Sequence, residues 1–265
     1  MRPAQGSVIV TDTDSLYDSA RLAAGYAFHR PPVHARVLDL VGDRLGIRGP
    51  SGNGLDIGCG AGLSTAALGR LAGTCIGLEP VRAMLKYAAR VAPPARFVVG
   101  RAEALPFGPG RFDLITAAGA LNYADVPACL AEVSRVLVPG GWLVIYDFSS
   151  GHRSREAPGL ESWFDEFERE FPFPRGYAMD VQAFDYRGAG LVLDGYQPYE
   201  VVLPMSQAAY LEYVLTETNV EQAIRLGRPE ASIRLWCARG LETVFERGTL
   251  PVAFTGYYAC VRREG

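Results

Sequence analysis

The sequence predicts an α/β fold, a doubly wound parallel sheet with helices on both faces, and three observations carry that expectation. Between Gly52 and Ser149 short β-like apolar runs alternate with helical ones. The first run ends in glycines at Gly58, Gly60 and Gly62. The last, GWLVIYDF, is almost continuously apolar, as a strand covered on both faces must be. Strands joined through helices are parallel, because a parallel neighbour needs a crossover whereas an antiparallel one can follow a tight turn. In order, the stretch reads GNGLDIGC, a helix over about 63–71, TCIGLE, a helix over about 81–91, RFVVG, a short helical turn, FDLITAA, a helix over about 127–137, and GWLVIYDF.

On the N-terminal side, Pro31 and Pro32 open a helix whose apolar residues Val33, Val37, Leu40, Val41 and Leu45 recur at helical spacing until Gly46 stops it. On the C-terminal side, Trp163, Phe164, Phe167 and Phe171 share one helical face, with Glu161, Asp165, Glu166 and Glu170 mostly off it. Two readings of that aromatic face stay open, an inner packing surface and a wall of a substrate pocket. TGYYACVRR reads as a final strand and YEVVLP as its antiparallel partner. Between them, about 206–247, lie two helical patterns, one with Tyr210, Leu211 and Val214 and one with Ile233, Trp236, Leu241 and Phe245. No repeat or Ser/Gly linker divides the chain, so a single domain is expected over 1–265. Within it, 1–49 form an N-terminal lid and first helix, 50–150 a ligand-binding core, and 151–265 substrate-covering segments and the last strands.

The chain has 265 residues, 49% hydrophobic and 21% charged, which is the composition of a globular protein with a sizeable core and excludes a disordered chain or a disulfide-stapled miniprotein. A net charge of -3 removes the case for a dedicated nucleic-acid binder. The five cysteines are scattered, with no CxxC and no Cys/His pairing suited to zinc, so they read as reduced, buried thiols, and no metal is expected. No run at the N-terminus suits a signal peptide, and none elsewhere approaches the ~18 apolar residues of a membrane span. Cytoplasm is the expected compartment, with a small-molecule substrate, no membrane partner, and a monomer or homodimer.

The strongest chemical signal is LDIGCGAGLS, residues 55–64, where three alternating glycines join a buried strand to a helix. Glycine there lets the backbone bend sharply and approach a ligand without a Cβ in the way. A nicotinamide-binding turn reads GxGxxG, but its third position is Leu63 here, so that pattern fails by one residue. The spacing GxGxG, with Asp56 two places before it, belongs to a different cofactor.

At these residues the chain resembles the class I S-adenosylmethionine-dependent methyltransferases, in particular the small-molecule branch related to the ubiquinone-biosynthesis and trans-aconitate enzymes. The resemblance implies a Rossmann-like sheet of seven mostly parallel strands with N-terminal lid helices and a helical insertion near the C-terminus. It also implies S-adenosylmethionine as the cofactor and S-adenosylhomocysteine as the product. In that family Asp56, Gly58, Cys59, Gly60 and Gly62 form the cofactor turn, and Glu79, followed by Pro80, accepts hydrogen bonds from both ribose hydroxyls. Ala102 and Glu103 match the stretch beside the adenine, with Arg101 where the family usually has an acid. Ala118 closes a strand whose backbone faces the methionine end. These positions all fall at the carboxyl ends of consecutive strands, where open parallel sheets bind ligands.

On the acceptor side the resemblance is looser. Tyr26 to Pro31 matches a Tyr-x-x-x-Arg-Pro lid segment, which makes Tyr26 and Arg30 candidates to contact substrate, and the helical insertion adds Tyr213, Thr216 and Asn219. Asn122 and Tyr123 hold the place where relatives often carry a histidine and an aromatic. In-line displacement at a sulfonium needs chiefly positioning. Where the acceptor is a hydroxyl, a base adds to the rate, and His152 and His29 are the candidates, His34 being assigned to structure. A carboxylate acceptor needs no base and would be oriented by an arginine such as Arg30, Arg153 or Arg175. The reading is therefore methyl transfer to a small organic molecule, on a hydroxyl or carboxylate oxygen. The rivals are a noncatalytic S-adenosylmethionine-binding protein and, less favoured, a nicotinamide-dependent oxidoreductase.

Overall fold

Seven strands form one sheet in the order β3-β2-β1-β4-β5-β7-β6 in a computed structural model that describes residues 16–174, 179–246 and 248–265. The N-terminal nineteen-residue stretch read above for a leader falls largely outside the described residues, as does Arg175. The strands are β1 (Asn53–Ile57), β2 (Thr74–Glu79), β3 (Arg96–Val99), β4 (Phe112–Ala118), β5 (Leu137–Phe148), β6 (Leu191–Ser206) and β7 (Thr249–Arg263). The first five are parallel, and β7 runs antiparallel to both β5 and β6. The strand order reverses between β1 and β4, so the ligand crevice of an open α/β sheet is expected there.

Nine α-helices are described: α1 (Ala20–His29), α2 (Val33–Leu45), α3 (Leu63–Leu68), α4 (Ala88–Val91), α5 (Val126–Val136), α6 (Gly159–Glu170), α7 (Gln207–Val214), α8 (Thr218–Arg225) and α9 (Glu230–Val244). Helix α2 begins after Pro32 and ends at Gly46, whose left-handed φ of 69° lets its N–H return to the last turn. It buries Val33, Val37, Leu38 and Val41 completely, each contributing about 1.5–3 kcal/mol. With α3, α6, α7 and α9 it covers one face of the sheet, and α5 covers the other. A third, small cluster joins Ala23 and Ala27 of α1 to Ala61 of the glycine turn and Met84, so α1 lies directly over that turn.

Several boundaries differ from the sequence reading. The helix expected over 81–91 is a 3₁₀ turn, Met84–Tyr87, followed by the single turn of α4, and the helical turn expected after β3 is an irregular segment closed by a bridge between Arg101 and Ala104. The last two strands are far longer than YEVVLP and TGYYACVRR. Pro198 and Pro204 argue against a strand, but β6 is the sheet edge, where a missing N–H can face away from the ladder. The insertion between β6 and β7 holds three helices rather than two, α8 being the addition.

Candidate active site

The site begins at the end of β1, where Gly58, Gly60 and Gly62 have φ of 68°, 52° and 94°, all in the region that favours glycine. A Cβ on Gly58 would lie 2.4 Å from the Cβ of Ala120, so the turn packs against the segment that leaves β4. A Cβ on Gly60 would meet only the Met84 methyl, at 3.4 Å, which leaves open space over the turn.

Glu79 ends β2 beside this turn. One carboxylate oxygen accepts the Gly60 N–H at 2.9 Å and the other accepts the Val81 N–H at 2.9 Å. A carboxylate offers about four acceptor positions, so one remains on each oxygen, suited to a pair of adjacent hydroxyls. Burial raises the Glu79 pKa, while the two N–H donors pull the other way. Asn122 adds a second unmet group, because its Oδ1 is buried with no hydrogen-bond partner among the described residues. An open glycine cradle, a tethered carboxylate and an orphaned amide oxygen together fit a polar adenosyl ligand.

Asp56, expected to touch the cofactor, spends its carboxylate on three side chains of the fold. It is fully buried, and its oxygens accept the hydroxyls of Ser64 at 2.6 Å, Thr65 at 2.7 Å and Thr116 at 2.9 Å. It pins the start of α3 and the middle of β4 to β1, and burial pushes its pKa up to about 6 against those three hydroxyls. Cys59 is likewise a packing residue: its thiol is buried, within 2.8 Å of where a Gly77 Cβ would stand, and burial drives its pKa upward. Pro80 is exposed after Glu79. Ala102 packs on the core beneath α5, and Glu103 accepts the Asp125 N–H at 2.9 Å, tying the segment after β3 to the start of α5. Ala118 is half-buried at the tip of β4, paired with Tyr146.

The acceptor-side candidates divide into two groups. Tyr26, Arg30, Tyr213 and Thr216 come together as a cluster joining α1 to α7. The Arg30 guanidinium lies 4.1 Å from the Tyr26 ring centroid and 5.2 Å from that of Tyr213, donates to the Thr216 carbonyl at 3.0 Å, and pairs with Glu217 at 3.1 Å. Arg30 is thus paired with Glu217 through its terminal nitrogens, with its buried Nε left without a partner among the described residues, and Arg153 pairs with Glu161. Tyr123 is 65% exposed, and its hydroxyl lies 3.1 Å from that of Tyr17, which in turn stands edge-on to Tyr26. This aromatic strap ties the lid to the segment after β4. Asn219 lies apart. Its amide donates to the Phe171 carbonyl and its oxygen accepts the Val220 N–H, so it secures α8 rather than facing a ligand.

The three histidines sit on separate segments. His29 is exposed at the end of α1, near Glu212, and His152 stacks on Phe164 of α6 with centroids 5.2 Å apart. His34 hydrogen-bonds the Tyr146 hydroxyl at 2.9 Å; burial, reinforced by Arg30, lowers its pKa to about 4, so it is neutral. The aromatic face of α6 packs inside the cap. A cleft of about 590 Å³ touches Trp163 and Phe171, but its lining comes from α6, α9 and the connection before α9, with none from the strand tips. Sequence reasoning passed over Asp147, a half-buried carboxylate at the tip of β5. Its only signal was the polar residue breaking the apolar run GWLVIYDF.

Residues 55–145, from β1 to the middle of β5, match a methyltransferase domain. An O-methyltransferase, cnsE of Penicillium expansum, is 32% identical over 181 residues, 62% of this chain and 64% of that protein. The alignments to curated relatives span from 45% to 64% of those relatives' own length. A solved structure from Anaeromyxobacter dehalogenans, assigned as a type II methyltransferase, superposes with a TM-score of 0.61 at 23% identity, covering 88% of this chain and 96% of that one. A phosphoethanolamine N-methyltransferase from Haemonchus contortus, solved with S-adenosylhomocysteine, superposes with a TM-score of 0.56 at 17% identity, covering 96% of this chain and 59% of that one. At such identities the likeness is of fold. The matched segment thus carries the glycine turn and the parallel strands β1 to β5, while α1 lies over that turn and β6 and β7 complete the sheet. No helix among the described residues is long and apolar enough to cross a membrane.

Proposed function

We propose that this protein transfers a methyl group from S-adenosylmethionine to an oxygen atom of a small, partly apolar organic molecule, in the cytoplasm and as a single domain over 1–265. The observation that carries the reading is Glu79, held by the Gly60 and Val81 N–H groups so that its remaining acceptor positions overlook the glycine cradle. S-adenosylmethionine supplies an electrophilic methyl on a sulfonium. Glu79 would grip the ribose, the turn at Gly58, Gly60 and Gly62 would admit the ligand backbone-close, and the Asn122 amide would take one of its polar groups. The lid, α1 with its Tyr17–Tyr26–Tyr123 strap, excludes water and holds the acceptor in line, and such positioning supplies up to roughly 7–11 kcal/mol of barrier reduction. The aromatic walls and the oxygen named in the Penicillium relative support an oxygen acceptor on an apolar body. The five free, buried thiols support a reducing compartment.

The test is incubation with methyl-labelled S-adenosylmethionine and fractionated host metabolites, followed by mass spectrometry. A labelled methyl ether or ester is expected. Calorimetry with Glu79→Ala should show cofactor affinity falling about a hundredfold, as loss of hydrogen bonds to a charged acceptor implies. Undiminished affinity would overturn the reading.

A further inference from the structure

The tip of β5 carries a carboxylate, Asp147, whose Oδ2 has no partner among the described residues. Ala118 of β4 pairs with Tyr146, and the Gly119 N–H donates to the Tyr146 carbonyl, which sets Gly119 beside Asp147. Gly119 has φ of 56°, and a Cβ there would stand 3.2 Å from Asp147 Oδ1. One residue on, Ala120 touches Gly58. The glycine turn, Gly119 and the Asp147 carboxylate therefore form one continuous patch at the β1–β4–β5 tips, where the strand order reverses.

Other carboxylates around the site are engaged. Asp56 takes three hydroxyls, Glu79 two backbone N–H groups, and Glu217 and Glu221 pair with Arg30 and Arg21. Asp147 Oδ1 accepts only the N–H of Phe148, and among the described residues Oδ2 has neither a hydrogen-bond donor nor a cation. The titratable groups facing it are tyrosines: Tyr257 opposite on β7, Tyr199 of β6, whose hydroxyl donates to the Asp147 carbonyl, and Tyr146 before it. The pKa of each is raised chiefly by burial, so they stay neutral and leave the carboxylate charge uncompensated.

We propose that Asp147 takes the proton of the acceptor during methyl transfer, and that the acceptor is a neutral hydroxyl rather than a carboxylate. The inference rests on the methyl-transfer reading above and narrows it. The acceptor oxygen's lone pair forms the O–CH3 bond, the C–S bond breaks with its electron pair going to sulfur, and the hydroxyl proton passes to Asp147 Oδ2 and then to water. A hydroxyl donates to an unpartnered carboxylate, whereas a carboxylate acceptor would meet a like charge that no arginine among the described residues offsets. Burial raises the Asp147 pKa, in the direction a general base needs.

The experiment is calorimetry of S-adenosylmethionine and S-adenosylhomocysteine with wild type, Asp147→Asn and Asp147→Glu, together with a labelled-methyl assay on a panel of simple phenols and benzoates. A base hydrogen-bonded to the acceptor lies within about 6 Å of the sulfonium, close enough to favour the cation over the neutral thioether. Asp147→Asn should lower the ratio of S-adenosylmethionine to S-adenosylhomocysteine affinity by about threefold or more, leave S-adenosylhomocysteine affinity unchanged, and abolish transfer to any phenol that wild type methylates; Asp147→Glu should restore part of the ratio. An unchanged ratio, or a labelled benzoate ester, overturns the proposal, and the ratio alone decides if no panel member reacts. Wild type binding neither cofactor form would instead overturn the methyl-transfer reading itself.

Discussion

The cofactor end and the acceptor end of the crevice are built differently. At the cofactor end, Asp56 is held by residues eight and nine positions away and by Thr116 sixty positions on, and Glu79 by its own next-but-one N–H, with Gly60 nineteen positions before it. At the acceptor end, the Arg30–Glu217 and Arg21–Glu221 pairs join residues 187 and 200 positions apart. The first end is made chiefly by one short segment turning back on itself, and the second by the two ends of the chain meeting over it. Local hydrogen bonds leave a signature in sequence, but distant ion pairs do not. The cofactor end should therefore fail by strain at a single residue, and the acceptor end by leaving a distant charge unpaired.

The largest effect should come from the acceptor end. Arg30 and Glu217 are only 12% and 8% exposed, so Glu217→Gln leaves a buried guanidinium without its partner and should cost about 3–5 kcal/mol of unfolding free energy in urea. Next, Gly58→Ala forces a positive φ on alanine and a clash with Ala120. It should cost about 2–3 kcal/mol, and adding Ala120→Gly should restore the share due to the clash but not the share due to φ; full restoration would show that the backbone strain is slight.

A pH-dependent contrast follows from His34. Its pKa is about 4 in the folded protein against about 6.5 unfolded, so the unfolded chain binds the extra proton between those values and stability is lost as pH falls through that window. Urea unfolding at pH 7 and pH 4 should show the margin of wild type over His34→Gln shrinking by about 2 kcal/mol. Asp56 works in the opposite sense over nearly the same range. Its folded pKa of about 6 lies above the usual carboxylate value, so its contribution is present at low pH and lost as pH rises towards 6. The smallest effect belongs to Tyr123, whose exposed ring meets Tyr17. Tyr123→Ala should move unfolding by no more than about 0.5 kcal/mol while loosening the strap, read as faster amide exchange in α1.

Particular elements show how far a sequence can be read. Helix α2 was legible because Pro32 and Gly46 bracket an amphipathic run, and β1, β2, β4 and β5 because a parallel strand must be apolar throughout. Helix α1 carried no comparable periodicity; it buries small residues, Ala23, Gly25 and Ala27, against the glycine turn and α7, and its inner face is defined by what it packs on. Asn219 looked like a ligand and is a bracket for α8. Asp147 drew no reading from the sequence and stands beside Gly119. A one-dimensional pattern states a side chain's polarity and leaves its partner unstated.

The sequence by itself determined the α/β class, the glycine turn and the carboxylate at the end of β2, because those rest on backbone conformation and on neighbours a few residues away. Only the tertiary structure decided which charges are spent and which are free: Arg30 absorbed by Glu217, Asp56 by three hydroxyls, and Asp147 left open at the meeting of β4 and β5. Whether a buried charge is satisfied depends on groups that the chain brings together across separations from eight residues, at Asp56 and Ser64, to 187, at Arg30 and Glu217, and local preference encodes only the nearest of them.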